Sequence, residues 1–219
     1  MQDSSSRGSL NSLFFLKCAL TSFILMYIAQ CRMLFLLVTI GSVIPLAGLL
    51  IYLEPYRLQR VLAFLNPWED PQGSGFQIIQ SLIAIGSGNI TGVGIAQSKQ
   101  KFFYLPMQHT DFIFSIIAEE TGFIGASLLI LIFILFLYTG LKIARKLHDP
   151  FCFYTTIGYV LLTSIQALMN LFVATGLMPT KGLGLPFISY GSSALLCNVV
   201  MLGLIINFVV HNNETHSYG

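Results

Sequence analysis

Three segments hold polar and charged residues between long apolar runs, and these segments are the ones that could carry chemistry. They read KQKFFYLPMQHTDFIFSIIAEE over 99–120, PTKGLGLPFISYGSS over 179–193 and NPWEDPQGSG over 66–75. Polar side chains are costly at membrane depth, so those that are kept there are candidates for function. A catalytic carboxylate, base or cation is therefore expected in these segments first.

Asp111 and Glu119 are carboxylates near the two ends of a short apolar stretch in the first segment. Thr110 or Asp111 fits the cap of a helix over 112–119. Ser115 shares a helix face with both carboxylates, but eight residues at about 1.5 Å each separate the carboxylates by about 12 Å. That is too far for the carboxylate pair of a glycosidase. The pattern alone leaves Asp111 as a helix cap or a catalytic group.

Other catalytic and binding patterns are weak. The glycines at 86, 88, 92 and 94 mimic a phosphate-binding loop, yet no Lys-Ser or Lys-Thr follows and no βαβ pattern surrounds them. His109 has no second histidine at metal-ligand spacing. Eleven Lys+Arg against nine Asp+Glu, with no basic stripe, disfavour nucleic acid as a partner. The sequence indicates no definite cofactor and leaves a divalent cation open.

The rest of the chain is suited to hold these segments in a membrane. Hydrophobic residues make up 55% and charged residues 9% of the sequence, against about 25% charged in an ordinary soluble domain. In lipid, each spanning segment must satisfy its own backbone groups, as a helix does. Lys17 interrupts the first apolar run and is expected to snorkel to the interface. Runs of about 20 apolar residues occur at 13–31, 33–53, 123–141, 151–178 and 192–210.

We therefore predict an all-α integral membrane protein with about five transmembrane helices. Within its large loop, residues 76–85 alternate apolar positions with Gln77, Gln80 and Ser81, which is typical of a re-entrant or interfacial helix. The predicted division is a polar N-terminus at 1–12, two transmembrane helices at 13–53, a large extracytoplasmic loop at 54–122, three transmembrane helices at 123–210 with an outer loop at 179–191, and a cytoplasmic tail at 211–219.

Two segments resemble signatures of the SEDS family of bacterial cell-wall proteins. The run from Asp70 to Gly125, which includes QHTDFIFSIIAEETG, is similar to the family's large outer loop. MPTKGLGLPFISYGSS, at 178–193, resembles the second signature, and its PTKG points to the FtsW-type division branch. The family has roughly ten spanning helices, so the chain is identified as resembling its C-terminal half.

The resemblance implies a peptidoglycan glycosyltransferase that polymerises lipid II into glycan strands and releases undecaprenyl diphosphate. The aspartate of the family's His-Thr-Asp-Phe motif falls on Asp111, which would be the general base of an inverting reaction. Lys101 and Lys181 would face the leaving diphosphate. The full substrate-binding set that the resemblance implies is Gln100, Lys101, His109, Thr110, Lys181, Ser189 and Ser193.

The resemblance also implies partners and a location. The expected partners are a class B penicillin-binding transpeptidase and other membrane proteins of the division machinery, at the septum of the bacterial plasma membrane. A lipid II transporter working through broken helices and a non-catalytic division scaffold are the alternatives. A transporter needs polar groups through the membrane depth, and the last three predicted spans have few, which favours the enzyme. Those few are chiefly Gln166, Asn170, Asn198 and Asn207.

The orientation follows from basic residues in short loops, which stay on the cytoplasmic side. Arg32 and the basic cluster within 142–149 satisfy this rule when 54–121 faces outward.

In a variant without the four native cysteines, we expect Gln72→Cys to react with a membrane-impermeant maleimide on intact cells. We expect His148→Cys to react after permeabilisation only. Labelling at position 72 that requires permeabilisation would contradict this orientation.

Overall fold

The computed structural model describes residues 3–39, 41–42, 68, 75–97, 112–178 and 184–217. Within these ranges the regular structure is helical, so the predicted all-α class is confirmed for them. Residues 33–39 and 41–42 are helical too. The main helices are α1 (Asp3–Ile28), α2 (Phe76–Ser87), α3 (Ile113–Ala144), α4 (Pro150–Ala174) and α5 (Ser192–Ser217).

In the described part of the chain, three helical stretches are long and apolar enough to cross a membrane: Ile113–Ala144, Pro150–Ala174 and Ser192–Asn212. They correspond to the last three predicted spans. The first predicted span, 13–31, falls on α1, whose apolar part within the described side chains is Phe15–Ile28, and this span stays a prediction. Most of the second predicted span, 33–53, lies outside the described residues, and the complete division into loop and spans stays a prediction.

Local sequence explains where α4 begins and how closely it packs on α3. Asp149 caps α4 by accepting a hydrogen bond from the Cys152 backbone N–H at 3.0 Å, which lowers the pKa of the Asp149 carboxyl. Pro150 occupies the first turn, where its missing N–H leaves no hydrogen bond unmade. Near the C-terminal end of α3, a Cβ at Gly140 would overlap the Val160 side chain. Glycine therefore allows these two helices to approach closely, as small residues do in membrane bundles.

The helix α3 is broken at Gly122, where φ is 68° and ψ is −164°. The segment that follows α2 closes this break with four backbone hydrogen bonds. The N–H groups of Val93 and Gly94 donate to the carbonyls of Glu119 and Glu120, at 3.0 and 3.1 Å. Beyond the break, the N–H groups of Phe123 and Ile124 donate to the carbonyls of Asn89 and Ile90 at 2.9 and 3.3 Å. Backbone groups freed by the break are thus satisfied by protein rather than by lipid or water.

Glycines make this backbone-to-backbone contact sterically feasible. A Cβ at Gly88 would overlap the Ala118 carbonyl oxygen, and one at Gly92 would overlap the Glu120 carbonyl oxygen. Gly92 also has a φ of 81°, which side-chain-bearing residues rarely adopt. The glycine pattern that mimics a phosphate loop therefore serves close packing of the segment against α3.

Residues 184–191 form turns and bends, as the prolines and glycines of this segment predict. Residues 179–183 lie outside the described part. Leu185 is 1% exposed and belongs to the main core with residues of α3 and α4. The Phe187 ring meets the Phe136 ring edge-on at 6.0 Å, and Phe136 is about 21 Å along α3 from Gly122. The turn is therefore directed into the helix bundle.

A test of the closed break compares two glycines of the same region. We expect Gly92→Ala to destabilise the protein by about 1–3 kcal/mol, because alanine would be strained at this φ and its Cβ would overlap the Glu120 carbonyl. Gly86 has no atom within 4 Å of its hypothetical Cβ, so Gly86→Ala should stabilise by about 0.5–1 kcal/mol. Thermal unfolding in detergent measures both. Equal effects of the two substitutions would contradict the packing described for Gly92.

Candidate functional site

The predicted site residues divide into two groups. Ser189 and Ser193 lie within the described part of the chain, and their roles toward substrate remain predictions. The others fall in 98–111 and 179–183, outside the described residues, so their predicted roles also stay predictions; they are Gln100, Lys101, His109, Thr110, Asp111 and Lys181.

The described residue next to Asp111 is firmly anchored. Phe112 is 2% exposed and forms a small core with Val173, against which Met178 packs. It occupies the N-cap position of α3, and no side-chain hydrogen bond is made by this cap. The helix therefore begins at Ile113, close to the predicted start at 112. The positive end of the helix dipole favours a carboxylate at this end of α3.

Two buried serines join α2, α3 and α4 just beyond this anchor. The Ser81 hydroxyl lies 2.5 Å from the Ser115 hydroxyl and donates to the Ala174 carbonyl at 2.6 Å. Since the Ser81 proton goes to Ala174, Ser115 is the donor of the first bond. The periodicity of 76–85 predicts a re-entrant or interfacial helix, and α2 forms there with Ser81 fully buried, at 0% exposure. The polar side of α2 that contains Ser81 faces protein.

The first half of α3 buries one face continuously. Ser115 and Glu119 are both buried on it, and the Glu119 carbonyl takes part in the closed break. The predicted common face of Ser115 and Glu119 is thus an interior face. Because Glu119 is enclosed and distant along the helix from the start of α3, it does not form a catalytic pair across one bond with a group at that start.

Ser189 and Ser193 have different surroundings. The Ser189 hydroxyl accepts the Leu185 backbone N–H at 2.6 Å, which closes a turn. Ser193 lies exposed in the first turn of α5. In the described structure Ser189 therefore shapes the backbone, while Ser193 is presented at a surface.

A polar contact that sequence reasoning missed lies beneath this turn. The Lys17 ammonium donates to the Gln166 side-chain oxygen at 2.7 Å, and the Gln166 amide donates to the Gly184 carbonyl at 2.8 Å. Snorkelling of Lys17 is therefore wrong, because its side chain points into the bundle. A lysine inside an apolar run is the signal that could have indicated an internal partner, but the sequence does not identify Gln166 as that partner.

These features define a class: a helical membrane protein with a broken helix whose end adjoins a polar segment. The family model of the FtsW, RodA and SpoVE proteins, described as cell cycle proteins, matches residues 14–214. The chain therefore belongs to this family, and the resemblance drawn from its two signature segments is confirmed.

Individual relatives agree with this assignment. Stage V sporulation protein E of Bacillus subtilis is 48% identical over 158 residues, covering 72% of this chain and 43% of that protein. The probable peptidoglycan glycosyltransferase FtsW of Geobacter metallireducens is 44% identical over 184 residues, covering 84% and 49%. The chain thus spans about half the length of the curated relatives it matches.

A solved structure has the same fold. It is described as "Structural coordination of polymerization and crosslinking by a peptidoglycan synthase complex", and the alignment has a TM-score of 0.66 at 33% identity. The match covers 88% of this chain and 53% of that one. Together with the three apolar helices, this similarity supports a membrane protein fold.

The serine contact between the helices can be tested by removing one hydroxyl. We expect Ser81→Ala to destabilise the protein by about 1–3 kcal/mol, since the buried Ser115 hydroxyl and Ala174 carbonyl lose their partner. Ser87→Ala is the matched control on the same helix. The Ser87 hydroxyl bonds to Ala84 within its own helix, so its loss should cost clearly less. Thermal unfolding that ranks the two variants in the opposite order would contradict this role of Ser81.

Proposed function

We propose that this chain belongs to a peptidoglycan glycosyltransferase that polymerises lipid II into glycan strands, with Asp111 as its general base. Family membership supports the proposal, as do relatives named probable peptidoglycan glycosyltransferases. The similar solved structure is of a peptidoglycan synthase complex for which polymerization is named as an activity. Because the chain spans about half of its relatives' length, the activity is proposed for the whole protein.

The observation that carries the assignment to Asp111 is the anchored start of α3. Asp111 directly precedes Phe112, the buried residue from which the first half of α3 begins. That half is held by the serine contact with α2 and α4 and by the closed break at Gly122. A general base needs a fixed position relative to the proton it removes. Rigid support of the neighbouring backbone fits this need.

The proposed reaction is an inverting displacement. Asp111 takes the proton of an acceptor sugar hydroxyl while the oxygen of that hydroxyl attacks the anomeric carbon of the lipid-linked donor. The bond from that carbon to the diphosphate breaks, and undecaprenyl diphosphate leaves with the electron pair. Lys101 and Lys181 are the proposed cations for the developing negative charge, because fixed positive groups stabilise such a leaving group. Gln100, His109, Thr110 and Ser193 are proposed substrate contacts.

The proposed partner is a class B penicillin-binding transpeptidase, acting at the septum of the bacterial inner membrane. Support comes from the similar solved structure, whose description couples polymerization to crosslinking in one synthase complex. The products of the two activities explain the coupling: new glycan strands are what a transpeptidase crosslinks.

Movement of lipid II across the bilayer is a second candidate, and one observation favours it. The helix α4 carries buried polar residues along much of its length, at Thr156, Thr163 and Asn170, with Gln166 in the contact with Lys17. The described bundle thus has more internal polarity than the sequence suggested. Buried polar residues also join helices in membrane bundles, so glycan polymerisation remains the first proposal.

The substitution Asp111→Asn separates a base from a structural residue. It keeps the size and hydrogen-bonding reach of the side chain but removes the basic carboxylate, so we expect polymerisation to fall by about 10²-fold or more. The measurement is glycan formation from purified lipid II by the chain completed with the N-terminal half of a full-length relative. Asp149→Asn is the matched control, since asparagine caps a helix about as well as aspartate.

Each result has a defined meaning. Near wild-type polymerisation by Asp111→Asn would contradict the assignment of the base. If the wild-type protein forms no glycan but moves lipid II across vesicles, the transporter is supported instead. If it does neither yet still binds its transpeptidase, the scaffold is supported.

A further inference from the structure

Lys17 is enclosed in the helix bundle, although it lies in an apolar helix. The residue is 7% exposed, and its ammonium donates to the side-chain oxygen of Gln166 in α4 at 2.7 Å. A charged group inside a membrane bundle costs free energy, so its retention needs a reason. A reason is found in the second hydrogen bond of the Gln166 side chain, which its amide nitrogen donates to the Gly184 carbonyl.

The Lys17 ammonium and the Gly184 carbonyl together fix which end of the Gln166 amide faces the turn at 184–189. An ammonium group has donors and no acceptor, so it contacts the amide oxygen. The amide nitrogen then points the other way and donates to the Gly184 carbonyl at 2.8 Å. A neutral group at position 17 would leave the amide oxygen without this donor, and the Gly184 carbonyl alone would then favour this orientation.

The carbonyl that Gln166 holds belongs to the same peptide unit as the Leu185 N–H. That N–H donates to the Ser189 hydroxyl at 2.6 Å, so both polar atoms of one peptide unit are held. The turn is further stabilised by the Ser189 N–H, which donates to the Leu185 carbonyl at 3.0 Å. Phe187, within it, has a φ of 65°. Such a conformation persists in a bulky residue only where the surroundings impose it.

We propose that Lys17 is a positioning residue for the turn at 184–189, acting through the orientation of the Gln166 amide. This turn belongs to the same signature segment as Lys181 and Ser193, to which the proposed function assigns contacts with substrate. The consequence for polymerisation rests on the proposed function. The effect on the turn itself does not.

Backbone amide hydrogen exchange at Leu185 and Ser189 tests the effect on the turn, in the completed protein in lipid nanodiscs. Lys17→Met keeps the length of the side chain but removes its donors, and we expect exchange at least about tenfold faster than in wild type. Lys17→Arg restores donors and should return most of the protection. Thr21→Val is the matched control, since Thr21 is buried one turn further along α1 and bonds to the Lys17 carbonyl. It should leave exchange in the turn unchanged.

A double substitution guards against simple misfolding. Gln166→Met removes the amide. Combined with Lys17→Met, it removes both partners of the Lys17–Gln166 hydrogen bond, so neither polar group stays buried without the other. If the contacts act in series, the double variant exchanges no faster than Gln166→Met alone. Independent, multiplying effects of the two substitutions would overturn the proposal. So would unchanged exchange in Lys17→Met, or an equal increase in Thr21→Val.

Polymerisation by the same variants keeps the two proposals separate. We expect Lys17→Met to lower kcat for glycan formation and Lys17→Arg to restore it, with Thr21→Val near wild type. Faster exchange in Lys17→Met with no glycan formed by wild type would contradict the proposed function alone. Faster exchange with wild-type polymerisation in Lys17→Met would overturn the role of the turn in the reaction.

Discussion

The break in α3 at Gly122 is the constraint on which the rest of the arrangement depends. An interrupted helix exposes carbonyl groups on one side and N–H groups on the other, and each unsatisfied group costs several kcal/mol in a membrane. The segment after α2 supplies four backbone partners for these groups. It approaches closely enough only because Gly88 and Gly92 have no side chain. The break therefore joins two distant parts of the chain by their backbones.

Closing the break directs the first half of α3 away from the axis of its second half and into the interior. There it is held by the serine contact with α2 and α4 and by Phe112 against Val173. The anchored end is the one that adjoins Asp111. A second polar contact, from Lys17 through Gln166, holds the Gly184 carbonyl at the start of the turn at 184–189. Each candidate segment thus adjoins backbone that is held by hydrogen bonds or by core packing.

Much of this fold could be predicted from the sequence, because the length of an apolar run reports directly on a spanning helix. The last three spans and the non-helical 184–191 follow from run length, proline and glycine. Ser81 and Lys17 could not be placed correctly, since their partners are far away in the chain: Lys17 and Gln166 are separated by 149 positions. Periodicity identifies a polar face but does not say whether water or another helix covers it.

The candidate site was predictable to a smaller extent. The family resemblance identified Asp111 and the two signature segments, and the family itself is confirmed. The spacing of the glycines near position 90 mimics a phosphate-binding loop. In the described structure, Gly88 and Gly92 instead allow close contact with the α3 backbone. Nothing in their spacing distinguishes the two uses, because both require a backbone without a Cβ.

The break in α3 can be observed through the backbone conformation of Gly122 in a lipid bilayer. Solid-state NMR chemical shifts of the Cα and carbonyl carbons over residues 119–125 report this conformation residue by residue. If α3 is broken as described, the shifts are helical up to residue 121, non-helical at Gly122 and helical again from Phe123. Helical shifts that continue without interruption through Gly122 would contradict it.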